Sequence, residues 1–385
     1  MKKINIIHIS HTDINNDSRI LKSIDAIKNI EGTQIKGIGI KQSSEKNSVN
    51  NKYESYNLKI ASIMRRMPRP VRLILLMPFF SFIEFVFVLF ISLFKIRADI
   101  IHVHDNLALV PALIYSKIFD CELIYDAHEL ESNKNHSSKI GSLVVSFIEK
   151  IAWSKISAFI TVSASIEKWY LDKYGSKKSV VILNAPIITN AKNVSKTLRE
   201  ELCLDKNKII AVYVGFFSQG RGIEDIIQLA NKLNNIHFAF VGKGKLEQNI
   251  KVAADNLDNI SIHPFVKHDE LISYLSKCEL GLCLLENISL SDYFAIPNKL
   301  LEYAFSGLYV ICSDFPEMRR VVKKYNIGEC LANDLSISKN TFLNSLPQKI
   351  NERKSQSNDA LYELSWQAQE KKMVDLYNHI IINKQ

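Results

Sequence analysis

Asn298, Lys299 and Glu302 lie three and four residues apart in Ala295-Ile296-Pro297-Asn298-Lys299-Leu300-Leu301-Glu302-Tyr303-Ala304-Phe305-Ser306-Gly307, so a helix carries them on one face. Pro297 presets the backbone of a first helical turn and Gly307 suits a left-handed cap, which predicts a helix from about Pro297 to Ser306. Leu300, Leu301, Ala304 and Phe305 recur at helical spacing as its buried stripe. Free N–H groups at the helix start attract phosphate, and Lys299 adds a full positive charge. Glu302 can accept hydrogen bonds from ribose hydroxyls. Taken alone, the pattern also fits an ordinary surface helix with a Lys/Glu pair; its surroundings decide. In Gly215-Phe216-Phe217-Ser218-Gln219-Gly220-Arg221-Gly222 the glycines permit close backbone approach, and Arg221 can clamp a pyrophosphate. The Lys-Ser/Thr end of an ATPase phosphate loop is missing there. His128, in Asp126-Ala127-His128-Glu129, offers a neutral imidazole that can donate to a hydroxyl without adding charge. Gly242-Lys243-Gly244-Lys245 is at best the rim of a nucleotide pocket and otherwise a turn.

The helix of Lys299 needs a frame. Before it, 279–285 reads as a buried parallel strand, and 308–314 after it reads as the next, giving a βαβ unit. Ligands of such sheets sit beyond the carboxyl ends of the strands, where the helix start and the 286–294 loop fall. Further strands are predicted near 4–10, 34–40, 100–104, 123–126, 159–163 and 180–183. A second series follows near 209–215, 237–242 and 260–263. A helix over 18–29 follows the first strand, 41–57 reads as a polar loop, and 360–382 reads as one long amphipathic helix. The fold class is α/β, with a polar linker at 189–195 between two strand series.

The chain has 385 residues, 47% of them hydrophobic, enough for two domains with separate cores. Its six cysteines show no Cys-x-x-Cys pair and mostly fall in apolar runs, which fits a reducing cytoplasm. The run after Met1-Lys2-Lys3 is too short for a secretory signal and reads as the first strand. The net charge of +9 is concentrated before residue 191, where it is +8. No zinc spacing or RNA-binding signature accompanies it, so an anionic membrane surface suits it better than nucleic acid.

Arg65, Arg66, Arg69 and Arg72 precede a 22-residue apolar run from Leu73 to Phe94, broken by Pro78 and Glu84. At about 1.5 Å per residue such a helix just reaches across a hydrocarbon core of about 30 Å. A span would nevertheless put strands of one sheet on opposite sides of the bilayer. The segment 63–97 is therefore predicted to lie in the inner leaflet, its arginines on lipid phosphates. The alternative is a pair of apolar core helices.

Strand, polar loop, Pro-Asn-Lys-Leu-x-Glu-Tyr-x-x-x-Gly, strand and Ser-Asp-x-Pro-Glu together resemble the donor-binding region of family 4 glycosyltransferases of the bacterial surface-polysaccharide type. The resemblance extends through Asp17-Ser18-Arg19, 99–105, Tyr125-Asp126-Ala127-His128-Glu129, Tyr213-Val214-Gly215 with Gly220-Arg221-Gly222, and Asn326-Ile327-Gly328. It implies the GT-B fold: two Rossmann-like domains facing a cleft, at 1–187 (acceptor) and 188–358 (nucleotide-sugar), with a carboxy-terminal helix, 359–385, crossing back to the first. Together with the basic and apolar segment at 63–97, it implies a retaining transferase that moves a sugar from a nucleotide-sugar to a lipid-linked or membrane-proximal glycan, peripherally attached to the cytoplasmic face of the membrane, with no cofactor and no metal. Carried over residue by residue, His128 and Glu302 are catalytic, and Arg221, Lys299, Gly215 and Gly220 hold the donor phosphates. Glu302, Asn298 and Asp292 face ribose and sugar, Val266 and Lys267 the nucleobase, and Asp17, Arg19, Asp126 and Glu129 the acceptor. One departure stands out: the family's first glutamate falls on Phe294, with Asp292 the nearby substitute. A GT-B sugar-nucleotide epimerase and a non-catalytic nucleotide-binding membrane protein remain as alternatives.

Overall fold

The computed structural model describes residues 3–41, 52–57, 77–135, 138–188, 194–331, 340–354 and 358–384. The chain divides into two compact units, one comprising Met1–Ile182 with Glu370–Gln385 and the other Leu183–Gln369. Among the described residues, the first unit holds strands β1 (Ile4–Ser10), β2 (Thr33–Lys41), β3 (Glu54–Asn57), β4 (Ile100–His104), β5 (Glu122–Ala127), β6 (Ala158–Thr161) and β7 (Ser179–Val181). They form one parallel sheet in the order β3-β2-β1-β4-β5-β6-β7. Crossover helices Ser18–Ile27, Met77–Lys95, Leu109–Ile118, Lys139–Trp153 and Ala164–Tyr174 join its strands. Isoleucine-rich β1 and β4 are almost entirely buried, as strands covered on both faces must be.

The second unit holds β8 (Ile209–Phe216), β9 (Ile236–Lys243), β10 (Ile260–His263), β11 (Leu280–Cys283), β12 (Tyr309–Ser313) and β13 (Gly328–Leu331). Their order is β10-β9-β8-β11-β12-β13, again parallel. Its core joins Tyr213, Phe217, Phe238, Phe240, Leu280, Leu282 and Ile311 to Ile226, Leu229 and Ala230 of the helix Ile223–Lys232.

Four readings need correction. The predicted loop at 41–57 contains strand β3 at its end. β13 carries no strand signal beyond Asn326-Ile327-Gly328. The helix of Lys299 runs Asn298–Phe305, with Pro297 in extended conformation as its amino-terminal cap. The terminal helix is split into a 3-10 segment, Asn358–Leu364, and an α-helix, Trp366–Lys384. In the first unit, Tyr377 of this last helix pairs its hydroxyl with His102 Nδ1 at 2.7 Å, and Lys384 donates to the Asp99 carbonyl at 2.8 Å. No helix among the described residues is long and apolar enough to cross a membrane. Arg65, Arg66, Arg69 and Arg72, the start of the apolar run and most of the 189–195 linker lie outside the described residues.

Candidate functional site

In the second sheet the chain leaves β8 toward one edge and β11 toward the other, so a crevice opens beyond Gly215 and Cys283. Lys299 projects there from the first turn of its helix. Its Nζ is buried, has no hydrogen-bond partner, and lies 3.6 Å from the centre of the Tyr213 ring. Burial, reinforced by the nearby Arg221 charge, pulls the Lys299 pKa down to about 8 against the opposing pull of Cys283 and Glu302. A buried ammonium without a hydrogen-bonded counter-ion has the capacity to take up an anion.

Of the other donor-side residues read from the sequence, Gly215, Arg221 and Glu302 stand near this nitrogen. A side chain on Gly215 would stand 3.9 Å from Lys299 Nζ, so that strand end forms the wall beside it. Arg221, two-fifths exposed, reaches Asp292 Oδ1 at 3.5 Å through Nη1. Ser289 fixes Asp292 by donating to Oδ2 at 2.6 Å. Glu302, nearly buried, pairs with His268 Nδ1 at 3.1 Å, a partner the sequence reading missed. His268 lies three residues beyond Phe265, and nothing in the spacing links it to Glu302. Asn298 is exposed, Val266 half-buried, and Lys267 is the exposed cap of the helix His268–Leu275. Phe294 stacks obliquely on Tyr293 with ring centres 5.5 Å apart.

Glycines bring the backbone together at this rim. Gly242, at φ +149°, pairs in register with Gly215, and a Cβ on it would lie 2.0 Å from the Gly215 carbonyl oxygen. Gly222, at φ +69°, would place a Cβ 2.5 Å from the Leu284 carbonyl oxygen. Gly242→Ala therefore strains both the dihedral and the contact, and is expected to destabilise the protein by at least about 1–3 kcal/mol. Urea denaturation measures it; an unchanged midpoint would mean that the two strands separate at no cost.

The first unit gathers a different set where β1, β4 and β5 end. Asp126 is wholly buried, and its Oδ1 accepts from Arg19 Nη2 at 2.9 Å. Arg19 also donates to the Ile182 carbonyl at 3.2 Å. Asp17 caps its helix by accepting from the Arg19 and Ile20 amides, and Glu129 lies exposed near Lys134. Thus Arg19 and Asp126 are committed to each other, while Asp17 holds a helix start. His128 is mostly buried, with Nε2 3.2 Å from His104 Nδ1, and His104 Nε2 meets His8 Nδ1 at 3.0 Å. Burial drives His8 and His102 down and His104 to about 3, so these rings are neutral. Burial opposes charge on His128 as well, but the carboxylates of Asp105 and Asp126 outweigh it and raise its pKa. Burial raises Asp126, yet Arg19 and the imidazoles outweigh this and hold it ionised. His8 escaped the sequence reading because one histidine inside an apolar strand looks like a polar interruption.

Two family comparisons cover most of the chain. The family described as "Glycosyl transferases group 1" matches residues 194–352, and the one described as "Glycosyltransferase Family 4" matches residues 51–185. The Escherichia coli (strain K12) protein WcaI, named for glycosyl transfer in colanic acid biosynthesis, is 23% identical over 222 residues, 52% of this chain and 54% of that protein. The matched stretch thus spans about half the length of that curated relative. Among solved structures, sucrose-phosphate synthase from Thermosynechococcus elongatus aligns over 99% of this chain and 100% of its own at TM-score 0.71 and 16% identity. Anabaena HepE, solved with UDP-glucose, aligns over 98% and 100% at TM-score 0.70 and 14% identity. With both halves matched and two parallel Rossmann-like units beneath them, the chain belongs to the family 4 glycosyltransferases and has their GT-B fold.

Proposed function

We propose that this protein transfers a sugar, with retention of configuration, from a nucleotide-sugar to a lipid-linked or membrane-proximal glycan acceptor in cell-surface polysaccharide synthesis. The observation that carries the reading is the buried, unpartnered Lys299 ammonium at the sheet's switch point, beside Arg221 and Glu302. Such a nitrogen suits the diphosphate of the donor, and HepE, solved with UDP-glucose, shares the fold. Arg221, Lys299 and the start of the helix Asn298–Phe305 stabilise the departing diphosphate without a metal at the phosphates. That leaving group accepts the acceptor's proton on the same face of the sugar. Glu302 holds ribose, Asp292 stands in for the family glutamate replaced by Phe294, and His128 of the first unit is the catalytic imidazole.

Peripheral attachment to the inner face of the membrane completes the proposal. Ile83, Phe87, Ile91 and Phe94 are exposed on the helix Met77–Lys95, which packs on Leu109–Ile118, where Ile114 and Ile118 are exposed. The next helix, Lys139–Trp153, exposes Ile140, Leu143, Val144, Phe147 and Ile151, an apolar stripe at helical spacing that the sequence reading passed over. A row of three such helices favours a lipid partner.

A donor screen by thermal shift tests the core of this reading. One class of nucleotide-sugar should raise the melting temperature, because binding to the native state stabilises it by mass action. Release of nucleoside diphosphate should then require a membrane-extracted acceptor pool. No shift and no release with any common nucleotide-sugar would defeat the proposal; conversion of the sugar-nucleotide without acceptor would point to an epimerase.

A further inference from the structure

We infer that Cys312 and Cys330 form a redox modification site in the second unit, closed to a disulfide by hydroperoxides and reopened by thiol reductants. The sheet brings them together. Cys312 on β12 and Cys330 on β13 are register partners in parallel strands, so both side chains leave the same face of the sheet. Their Sγ atoms are 3.5 Å apart. Neighbouring strands run about 4.7–4.9 Å from one another, inside the range of about 4.4–6.8 Å between Cα atoms that a disulfide spans. The sulfurs must close by about 1.5 Å to reach a bond of about 2.0 Å. Rotation of the two side chains and a small shift of β13 can supply this, since β13 is the edge of the sheet and is hydrogen-bonded to β12 alone.

The row of thiols extends one strand further, because Cys283 on β11 is the register partner of Cys312. It plays no part in the bond. Its Sγ is turned to Met318 Sδ at 4.0 Å, and burial pushes its pKa up to about 11, so it stays a thiol.

Cys312 and Cys330 differ in access and in charge. Cys312 is fully buried and Cys330 half-buried, so an oxidant meets Cys330 first. The hydrogen bond shared with Cys312 holds the Cys330 pKa below that of an ordinary thiol, with Arg319 and Lys323 assisting and burial and Asp314 opposing. The same bond, together with burial, drives Cys312 up. Cys330 is therefore the thiolate, and Cys312 is the protonated partner that donates to it. Such a pairing of an accessible nucleophilic thiolate with a resolving thiol suits a redox sensor.

The chemistry balances with one hydroperoxide. The Cys330 thiolate attacks the peroxide: an S–O bond forms, the O–O bond breaks, and two electrons pass from sulfur to the departing oxygen, which takes a proton. The Cys312 sulfur then attacks the sulfenic sulfur: the S–S bond forms, the S–O bond breaks, and the Cys312 proton leaves with the hydroxide as water. The bond closes a loop around the helix Pro316–Tyr325, restricting the unfolded chain. The inference draws nothing from the nucleotide-sugar reading, and its test contains no nucleotide.

The full chain is reduced, desalted, exposed to hydrogen peroxide, alkylated and mapped by peptide mass. Cys312 and Cys330 should escape alkylation together in one linked peptide pair, while Cys278 and Cys283 remain alkylated. The melting temperature should rise by roughly 5–10 °C and return with dithiothreitol. Cys330→Ser should lose both effects with its circular dichroism unchanged. Cys312→Ser, which removes the resolving thiol, should instead accumulate sulfenic acid on Cys330, trapped by a 1,3-diketone. Full alkylation of both cysteines in peroxide-treated wild type, or the same reversible rise in folded Cys330→Ser, would overturn the assignment.

Discussion

Replacing Lys299 by alanine should weaken nucleoside diphosphate binding by about ten- to a hundredfold, since a charge-assisted hydrogen bond is typically worth about 1.5–3 kcal/mol. Arg221→Ala should cost less, because that side chain is part-exposed and already shares its charge with Asp292. Isothermal titration calorimetry provides a sharper readout than affinity. With a pKa of about 8 in the free protein, Lys299 is charged at pH 7 but increasingly neutral above pH 8. A bound diphosphate favours the charged form and raises that pKa, so binding above pH 8 takes up protons, whereas binding at pH 7 takes up few. Titrations in buffers of different ionisation enthalpy measure the uptake, and Lys299→Ala should lose it. The linked effect on the free protein has the opposite sense: the cost of burying the ammonium is full below about pH 8 and disappears as pH rises toward the unfolded lysine value near 10.4. Equal affinity in both cation variants would remove the phosphate site from this crevice.

The second large effect concerns attachment. Exchanging Arg65, Arg66, Arg69 and Arg72 for serine should shift the protein from the membrane to the soluble fraction. Each basic residue near an anionic surface contributes roughly 1 kcal/mol, so four change the partition by about a thousandfold. Raised salt should do the same to the wild type, because screening shortens the reach of those charges. Exposed Phe87, Phe94, Leu143 and Phe147 leave residual affinity, and activity on a soluble acceptor analogue should persist. A quadruple variant that stays fully bound through salt and alkaline carbonate would mean a genuine span, incompatible with β1, β2 and β4 sharing one sheet.

The central strands were legible because parallel sheets buried on both faces require continuous Ile, Val and Leu runs, as in Ile4–Ser10 and Ile209–Phe216. β3 was not, because an edge strand pairs on one side only, and Glu54-Ser55-Tyr56-Asn57 carries no apolar run. The helix of Lys299 and Glu302 and the glycine turn of Arg221 were legible because helix spacing and Gly-Arg-Gly turn chemistry are local. His8 and His268 were not: each acts through a partner more than thirty positions away, His104 for one and Glu302 for the other. Asp17 and Arg19 look alike in the sequence as polar residues near a strand end. Only packing separates a cap, satisfied by its own helix, from a guanidinium committed to Asp126.

The glycine-lined rim beyond β8 and β9 has an implication for substrate discrimination. Where Gly242 meets Gly215 and Gly222 meets Leu284, the walls are main chain, and a side chain added at 242 or 222 would collide with a carbonyl. Peptide groups present the same donors and acceptors whatever the neighbouring residue, so this surface can register the outline of a ligand but offers mutation almost no alphabet with which to rewrite it. Under the proposed function, a change of preferred donor would therefore be written elsewhere, in the side chains of loops such as 264–267 and 286–294, while the glycine floor stays constant.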